Sequence, residues 1–210
     1  MSPRLRQIVS ELIAITEQIG DKVDLPTDVL AVPVVRQALE YTCGPGALAA
    51  VLYYWEVFSG PERDLYDSLG TTEKGTSPSS LVKTAKKYGL KAEIQENLTV
   101  DSLRRFLSDG KTVILSFQAW PKKKKPDNWE TDTSDGHYAV LIGLNDQNIF
   151  LMDPAMAGKY GFITIKEFVS RWHDKRSDED RIAKHLGIVI WGSEKLDKTR
   201  ASKVESDERC

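Results

Sequence analysis

The chain has 210 residues, enough for one sizeable core, and its apolar fraction of 40% and charged fraction of 29% are ordinary for a globular protein. Its net charge of −2 gives no general attraction to nucleic acid or to anionic membranes. No apolar stretch approaches the length of a membrane span, and the first residues lack a signal-peptide core. Two cysteines are too few for a disulfide scaffold, so we expect a reduced, cytoplasmic protein.

The two ends of the chain differ from its body. From about Arg4 to Ile19, apolar residues recur at helical spacing, which predicts an amphipathic helix followed by a polar connection. We therefore expect residues 1–30 to form a helical extension through which a partner could bind. Residues 193–210 are charged and without periodicity, which predicts a disordered tail. The intervening residues 31–192 are expected to form one domain.

The most informative segment begins at Cys43. Nearly every residue from Ala47 to Trp55 is apolar, which predicts a helix buried on all sides rather than one lying on a surface. Pro45 is tolerated only in the first turn of a helix, where its missing N–H has no acceptor in any case. The helix is therefore predicted to begin near Cys43.

Helices dominate the first half of the body and strands the second half. Ser77–Gly89 predicts a helix that ends at glycine, Thr99 can cap another helix from Val100 to Leu107, and a third is expected from Lys166 to about Trp172. This order favours an α+β domain. Six segments have the apolar pattern of strands: Leu90–Ile94, Thr112–Phe117, Tyr138–Ile142, Ile149–Met152, Phe162–Ile165 and Leu186–Trp191.

A thiol at a helix N-terminus is a candidate nucleophile, because the helix dipole favours the thiolate. Cys43 is predicted to lie at such a position, and a nearby imidazolium would favour the thiolate further. The alternative is that Cys43 is a small buried apolar residue, as free cysteines often are.

A histidine and an aspartate downstream are candidates for the base and its orienting group. The turn residues of Gly143–Gln147 predict a hairpin centred on Asn145, which would place His137 directly opposite Asp153. Opposed side chains share a face, with Cβ atoms about 5 Å apart, whereas a slip of one residue would separate them. Taken singly, His137 reads as a structural histidine and Asp153 as a turn residue; their joint spacing favours a dyad.

Gln37 lies six residues before Cys43, and its side-chain N–H could join the Cys43 backbone N–H in stabilising an oxyanion. There is no Cys-x-x-Cys pair, no His-Glu-x-x-His and no phosphate-binding glycine loop. We therefore expect neither a metal nor another cofactor.

Together these segments resemble the bacteriocin-processing cysteine peptidases and their stand-alone relatives, within the papain-like group. The resemblance spans about Val32 to Trp191, and its strength lies in the order of its motifs rather than in any one of them. The strongest are Gln-x5-Cys-Gly-Pro-x-Ala-Leu-Ala, Gly-His-Tyr-Ala-Val-Leu-Ile-Gly and Asp-Pro-Ala.

The resemblance implies a papain-like fold, with the nucleophile helix packed on an antiparallel sheet. It implies that Cys43 is the nucleophile, His137 the general base, Asp153 its orienting group and Gln37 the oxyanion donor. Well-known members cut leader peptides after a double glycine and are fused to a membrane exporter, for which this chain has no room. It also has Gly46 where alanine is common in the family.

The segment Trp120–Asp135 precedes His137 and should overhang the site. We expect Trp120 and Trp129 to form a substrate rim, with Lys122–Lys125 selecting acidic or C-terminal-carboxylate substrates. The lysine run could instead bind nucleic acid, but a solvated loop is favoured.

The sequence thus predicts a cysteine peptidase or amidase with a peptide or protein substrate. Two alternatives stay open: a non-catalytic peptide-binding module on the same fold, and an acyltransferase. The joint presence of Gln37, Cys43, His137 and Asp153 favours an enzyme, because a binding module needs no such set.

Overall fold

The computed structural model describes residues 22–120, 129–156 and 158–192, together with Arg4. The remainder of the predicted N-terminal helix, the predicted tail and Lys122–Lys125 lie outside these ranges.

Helices predominate in the first part of the described chain and strands in the second part. The helices are α1 (Cys43–Tyr54), α2 (Tyr66–Leu69), α3 (Pro78–Lys87), α4 (Val100–Ser108) and α5 (Ile165–Arg171), with 3-10 helices at Glu62–Leu65 and Trp129–Thr131. The strands are β1 (Lys91–Gln95), β2 (Thr112–Gln118), β3 (Gly136–Leu144), β4 (Asn148–Met152), β5 (Gly161–Thr164), β6 (His173–Arg176), β7 (Arg181–Lys184) and β8 (Gly187–Trp191).

Six of these strands form one antiparallel sheet in the order β1-β8-β2-β3-β4-β5, and β6 and β7 pair in a separate hairpin. The central strand β2 is buried along its whole length, including its polar residues Thr112, Ser116 and Gln118. The mixed helices and antiparallel sheet confirm the predicted α+β class.

Both faces of the sheet are covered. On one face α1 packs on β3, and Leu48, Val51, Val140 and Ile188 belong to the same apolar core. On the other face α4 and α5 cover a second core. Side chains of successive strand residues alternate between these two cores, so each central strand contributes to both.

Local signals account for the helix boundaries. The Ser77 side chain accepts the Ser80 N–H at the start of α3, and the helix stops before Gly89, whose φ is +80°. Thr99 and Ser102 form a capping box at the start of α4. The predicted starts of α1, α3 and α4 are therefore confirmed.

The predicted β3–β4 register was wrong. Val140 pairs with Met152 and Leu141 with Leu151, so residue 139, not 137, lies opposite position 153. The turn is centred one and a half residues further on, which displaces the pairing beside it by three residues, and a bulge between Leu141 and Gly143 takes one residue back. The total displacement is two residues, an even number, so His137 and Asp153 still share a face as diagonal neighbours.

The β6–β7 hairpin was not predicted. Its sequence, from His173 to Lys184, is mostly charged and lacks the alternation of apolar and polar residues that marks a half-buried strand.

Among the described helices, none has both the length and the hydrophobicity needed to cross a bilayer.

The burial of α1 predicts where stability resides. Leu48 is fully buried, whereas Leu25 is 43% exposed. We expect Leu48→Ala to lower the free energy of unfolding by about 2–5 kcal/mol, because it removes buried atoms and leaves a cavity. Leu25→Ala, the same change at an exposed position, should alter it by less than about 0.5 kcal/mol. Urea titration followed by circular dichroism measures both, and equal effects would contradict the central position of α1.

Candidate active site

Cys43 is the first residue of α1 and lines a cleft of about 660 Å³ that also contains the start of β3. The helix buries its body against β3, so only its N-terminal end reaches the cleft. The backbone N–H groups of a first turn have no acceptor within the helix. Cys43 therefore combines a thiol, a helix N-terminus and an opening to solvent.

His137, near the start of β3, lies between Cys43 and Asp153. Its Nε2 is 2.7 Å from Asp153 Oδ1, and Asp153 follows the last residue of β4. Because Nε2 donates to the carboxylate, Nδ1 is left for the sulfur, and the ring is hydrogen-bonded to Cys43 as well. The structure thus brings together three of the four residues selected from the sequence.

The environment favours the charged form of His137. Burial alone lowers the pKa of the imidazole, but its hydrogen bonds to Asp153 and Cys43 and the charges of both groups outweigh burial and raise the pKa to about 9. Burial raises the pKa of Asp153, but the hydrogen bond and charge of His137, the Ala155 N–H and the charge of Arg171 outweigh it and lower the pKa. At neutral pH the two therefore form an ion pair.

Two glycines allow the surrounding segments to approach the first turn of α1. A Cβ at Gly46 would lie 2.9 Å from the Cβ of Pro154, and a Cβ at Gly44 would lie 2.8 Å from the Cβ of Thr76. The Gln37 N–H also donates to the Pro154 carbonyl at 2.9 Å. The chain that carries Asp153 is therefore held directly against the helix that carries Cys43.

Gln37 is held differently from the expectation. Its Nε2 donates to the carbonyl oxygens of Leu39 at 2.8 Å and Glu40 at 3.0 Å, while its Oε1 is buried without a hydrogen-bond partner. Both N–H groups are thus engaged in this conformation, and Gln37 is not among the described residues that line the cleft. A role as oxyanion donor requires the amide to release these carbonyls, and it stays a prediction.

The two tryptophans of the expected rim lie in different places. Trp120 lines the cleft, is 48% exposed, and has its ring centroid 4.7 Å from that of His137. Trp129 stacks on the guanidinium of Arg171, 4.4 Å from the ring centroid. It lines a larger cavity of about 1010 Å³ that contains neither Cys43 nor His137. Only Trp120 is therefore placed to contact a molecule bound at Cys43.

Thr76 and Asp174 are two polar residues of the cleft that no sequence motif pointed to. Thr76 packs on Gly44, and its carbonyl accepts the Tyr138 hydroxyl. Asp174 belongs to the unpredicted β6–β7 hairpin, so a prediction of strands from the apolar pattern could not place it.

Within the described ranges, no group of three or more His, Cys, Asp or Glu residues is arranged to hold a metal ion.

The fold agrees with comparisons to known proteins. Residues 29–178 match the model of the Peptidase_C39 like family, and the chain therefore belongs to that family. A relative from Methanothermobacter thermautotrophicus is 30% identical over 77% of this chain and 89% of its own length. One from Methanothermobacter marburgensis is 33% identical over 59% of this chain and 72% of its own length. Both are described as uncharacterized proteins.

Solved structures show the same fold at low sequence identity. A putative C39-like peptidase from Bacillus anthracis is 18% identical, with a TM-score of 0.60 over 83% of this chain and 100% of that one. A double glycine motif protease from an AMS/PCAT transporter, in complex with its leader peptide, is 21% identical, with a TM-score of 0.52 over 79% and 95%. The family resemblance and the papain-like fold expected from the sequence are thereby confirmed.

The pKa of His137 provides a test of the site's electrostatics. In an NMR titration we expect the ring signal of His137 to change near pH 9. In Asp153→Asn it should change at lower pH, because burial lowers the pKa of the imidazole and one of the charges that oppose burial is gone. The signal is assigned by its loss in His137→Gln. An unchanged midpoint in Asp153→Asn would show that the carboxylate does not hold the imidazolium.

Proposed function

We propose that this protein is a cysteine peptidase or amidase that cleaves a peptide bond through a thioester on Cys43. The observation that carries the proposal is the placement of His137 between Cys43 and Asp153 at the edge of an open cleft. Membership of a peptidase-like family supports the same chemistry, and so does a similar fold that binds a leader peptide in another protein.

The proposed reaction begins with an imidazolium on His137 and a thiolate on Cys43. The sulfur attacks the carbonyl carbon, and the negative charge moves to the carbonyl oxygen, beside the N–H groups at the start of α1. His137 then gives its proton to the leaving nitrogen as the C–N bond breaks, which leaves a thioester on Cys43.

Water completes the cycle. His137, now neutral, removes a proton from the water that attacks the thioester carbonyl, and the C–S bond breaks to release the acid. Asp153 keeps Nε2 protonated throughout, so that Nδ1 always faces the reacting atoms. An amine in place of water would give a new amide, which is the acyltransferase alternative.

Alkylation of Cys43 tests whether the thiol is activated. In a Cys210→Ser background, where Cys43 is the single thiol, we expect iodoacetamide to label the folded protein at pH 6. His137→Ala should slow labelling by about tenfold or more, because the thiolate loses its imidazolium partner. Intact-protein mass spectrometry follows the adduct, and labelling in urea gives the reference rate for an accessible thiol.

Peptide cleavage tests the reaction itself. A library of internally quenched peptides should be cut by the wild-type protein and not by Cys43→Ala, and mass spectrometry of the products with an added amine separates hydrolysis from transfer. If Cys43 is labelled only after unfolding and no peptide is cut, the protein is a binding module on a peptidase fold.

The proposed role of Gln37 makes a separate prediction. If its amide turns to the oxyanion during the reaction, Gln37→Ala should lower kcat by about 100-fold while KM changes little. If the amide only fixes the backbone of Leu39 and Glu40, the variant should instead lower the free energy of unfolding and leave kcat within a few-fold. Steady-state kinetics and urea titration on the same samples distinguish the two.

A further inference from the structure

Asp174 presents a firmly held carboxylate in the wall of the cleft. It is the second residue of β6, and its side chain is partly exposed. Its Oδ2 accepts the Ser116 hydroxyl at 2.9 Å, and its Oδ1 accepts the Gln118 amide at 3.1 Å and the Lys175 N–H at 2.7 Å. All three partners donate, which fixes the orientation of the carboxyl group; burial raises its pKa above the ordinary value, and these hydrogen bonds offset only part of that rise.

The carboxylate lies beside the residue that precedes His137. A side chain at position 136 would overlap the Asp174 carboxylate, so this close approach requires the glycine at position 136. Gly136, Asp174, Cys43 and His137 line the same cleft. A group bound to Asp174 would therefore lie within the space that a substrate at Cys43 must enter.

The described lining of this cleft carries more negative than positive charge. It has four carboxylates, from Glu40, Glu73, Asp135 and Asp174, against two lysines, Lys74 and Lys175, and the imidazolium of His137. The ammonium of Lys175 is already paired with Asp180 at 2.8 Å. An excess of carboxylates attracts cationic groups to a cleft and disfavours anionic ones.

An aromatic ring of the same cleft offers a compatible surface. Trp120 is half exposed and lines the same cleft. The face of an indole ring attracts ammonium and guanidinium groups. A cationic side chain could therefore lie along Trp120 while its charge reaches a carboxylate.

Building on the proposed peptidase function, we propose that Asp174 determines specificity by accepting a positively charged group of the peptide substrate. The group is an ammonium or guanidinium, supplied either by a Lys or Arg side chain or by a free N-terminal amine. The proposed preference for cationic substrates is opposite to the preference for acidic substrates expected from Lys122–Lys125, because the described wall of the cleft is acidic.

Asp174→Asn is the variant that tests this role with the smallest change in shape. The Asn carbonyl can still accept from Gln118 and from the Lys175 N–H, and its amide can donate to the Ser116 hydroxyl, which also accepts. The hairpin should therefore keep its place while the charge is lost. Asp146→Asn is the matched control, since it removes one carboxylate whose side chain is fully exposed, in the β3–β4 turn.

The first measurement compares kcat/KM for acetylated peptides that differ only in having Arg, Gln or Glu near the cleaved bond. We expect wild type and Asp146→Asn to prefer the Arg peptide, and Asp174→Asn to lose about tenfold or more of the Arg-to-Gln ratio, as for loss of a charged hydrogen bond. A Gln peptide with a free N-terminus tests whether the bound group is the terminal amine. If this peptide is preferred over its acetylated form, and Asp174→Asn removes that preference while the Arg-to-Gln ratio is unchanged, the bound group is the terminal amine rather than a side chain.

A binding measurement separates failure of this inference from failure of the proposed reaction. Fluorescence anisotropy of the same labelled peptides with Cys43→Ala requires no cleavage, and Asp174→Asn in that background should weaken binding of the cationic peptide alone. Cationic preference without cleavage would overturn the peptidase function but keep the charge recognition. A preference for Glu, or equal binding of all peptides, would overturn the role of Asp174.

Discussion

The candidate site depends on how closely the chain can approach the first turn of α1. Because Gly44 and Gly46 have no side chains, Thr76 can pack on one side of the turn and Pro154 on the other. Pro154 directly follows Asp153, so this contact sets how far the carboxylate stands from the helix that carries Cys43. The interaction is steric, and the hydrogen bonds and charges of the site act within the geometry that it allows.

The family resemblance singled out Gly46 as a departure, and the structure supplies its physical reason. An alanine methyl at this position would meet the ring of Pro154 at less than an ordinary contact distance. In this chain the segment after β4 therefore lies closer to α1 than a methyl group would permit. Glycine costs about 0.5–1 kcal/mol relative to alanine inside a helix, a cost that the packing of Pro154 offsets.

Charge placement follows from the same approach. Cys43 and Asp153 lie on either side of the His137 imidazole, and each makes the imidazolium more favourable than burial alone would allow. A buried ion would be costly without such partners. The partly exposed Asp153 keeps some contact with water and also accepts the Ala155 N–H at 2.8 Å. The imidazolium is therefore held by its neighbours rather than by solvent.

The sequence predicted the helices and the main sheet well because their signals are local. Apolar runs, caps and stopping glycines act within a few residues, as Ser77, Thr99 and Gly89 illustrate. The β3–β4 register was wrong because a bulge and a displaced turn are not visible in an apolar pattern. His137 and Asp153 nevertheless meet, because an even shift preserves the face on which a side chain lies.

The parts that could not be predicted are held by polar contacts that leave no apolar pattern in the sequence. The amide of Gln37 is fixed by carbonyls of a nearby turn whose conformation has no sequence signature. Asp174 is placed by hydrogen bonds to side chains of β2, more than fifty residues earlier. The contacts of Asp174 depend on the finished fold, so no short window of sequence contains them.

The β6–β7 hairpin shows how the molecule can separate chemistry from recognition. Ion pairs attach it to the rest of the fold: Glu96, just after β1, binds both Arg176 at 2.9 Å and Arg181 at 2.6 Å. The hydrogen bond from Arg176 also lowers the pKa of Asp178 to about 2, outweighing burial, so this acid remains charged at neutral pH. Neither Cys43 nor His137 takes part in this network. If Asp174 recognises substrate charge as proposed, this separate attachment would allow the hairpin to change in sequence while the packing that sets Cys43 against His137 is preserved.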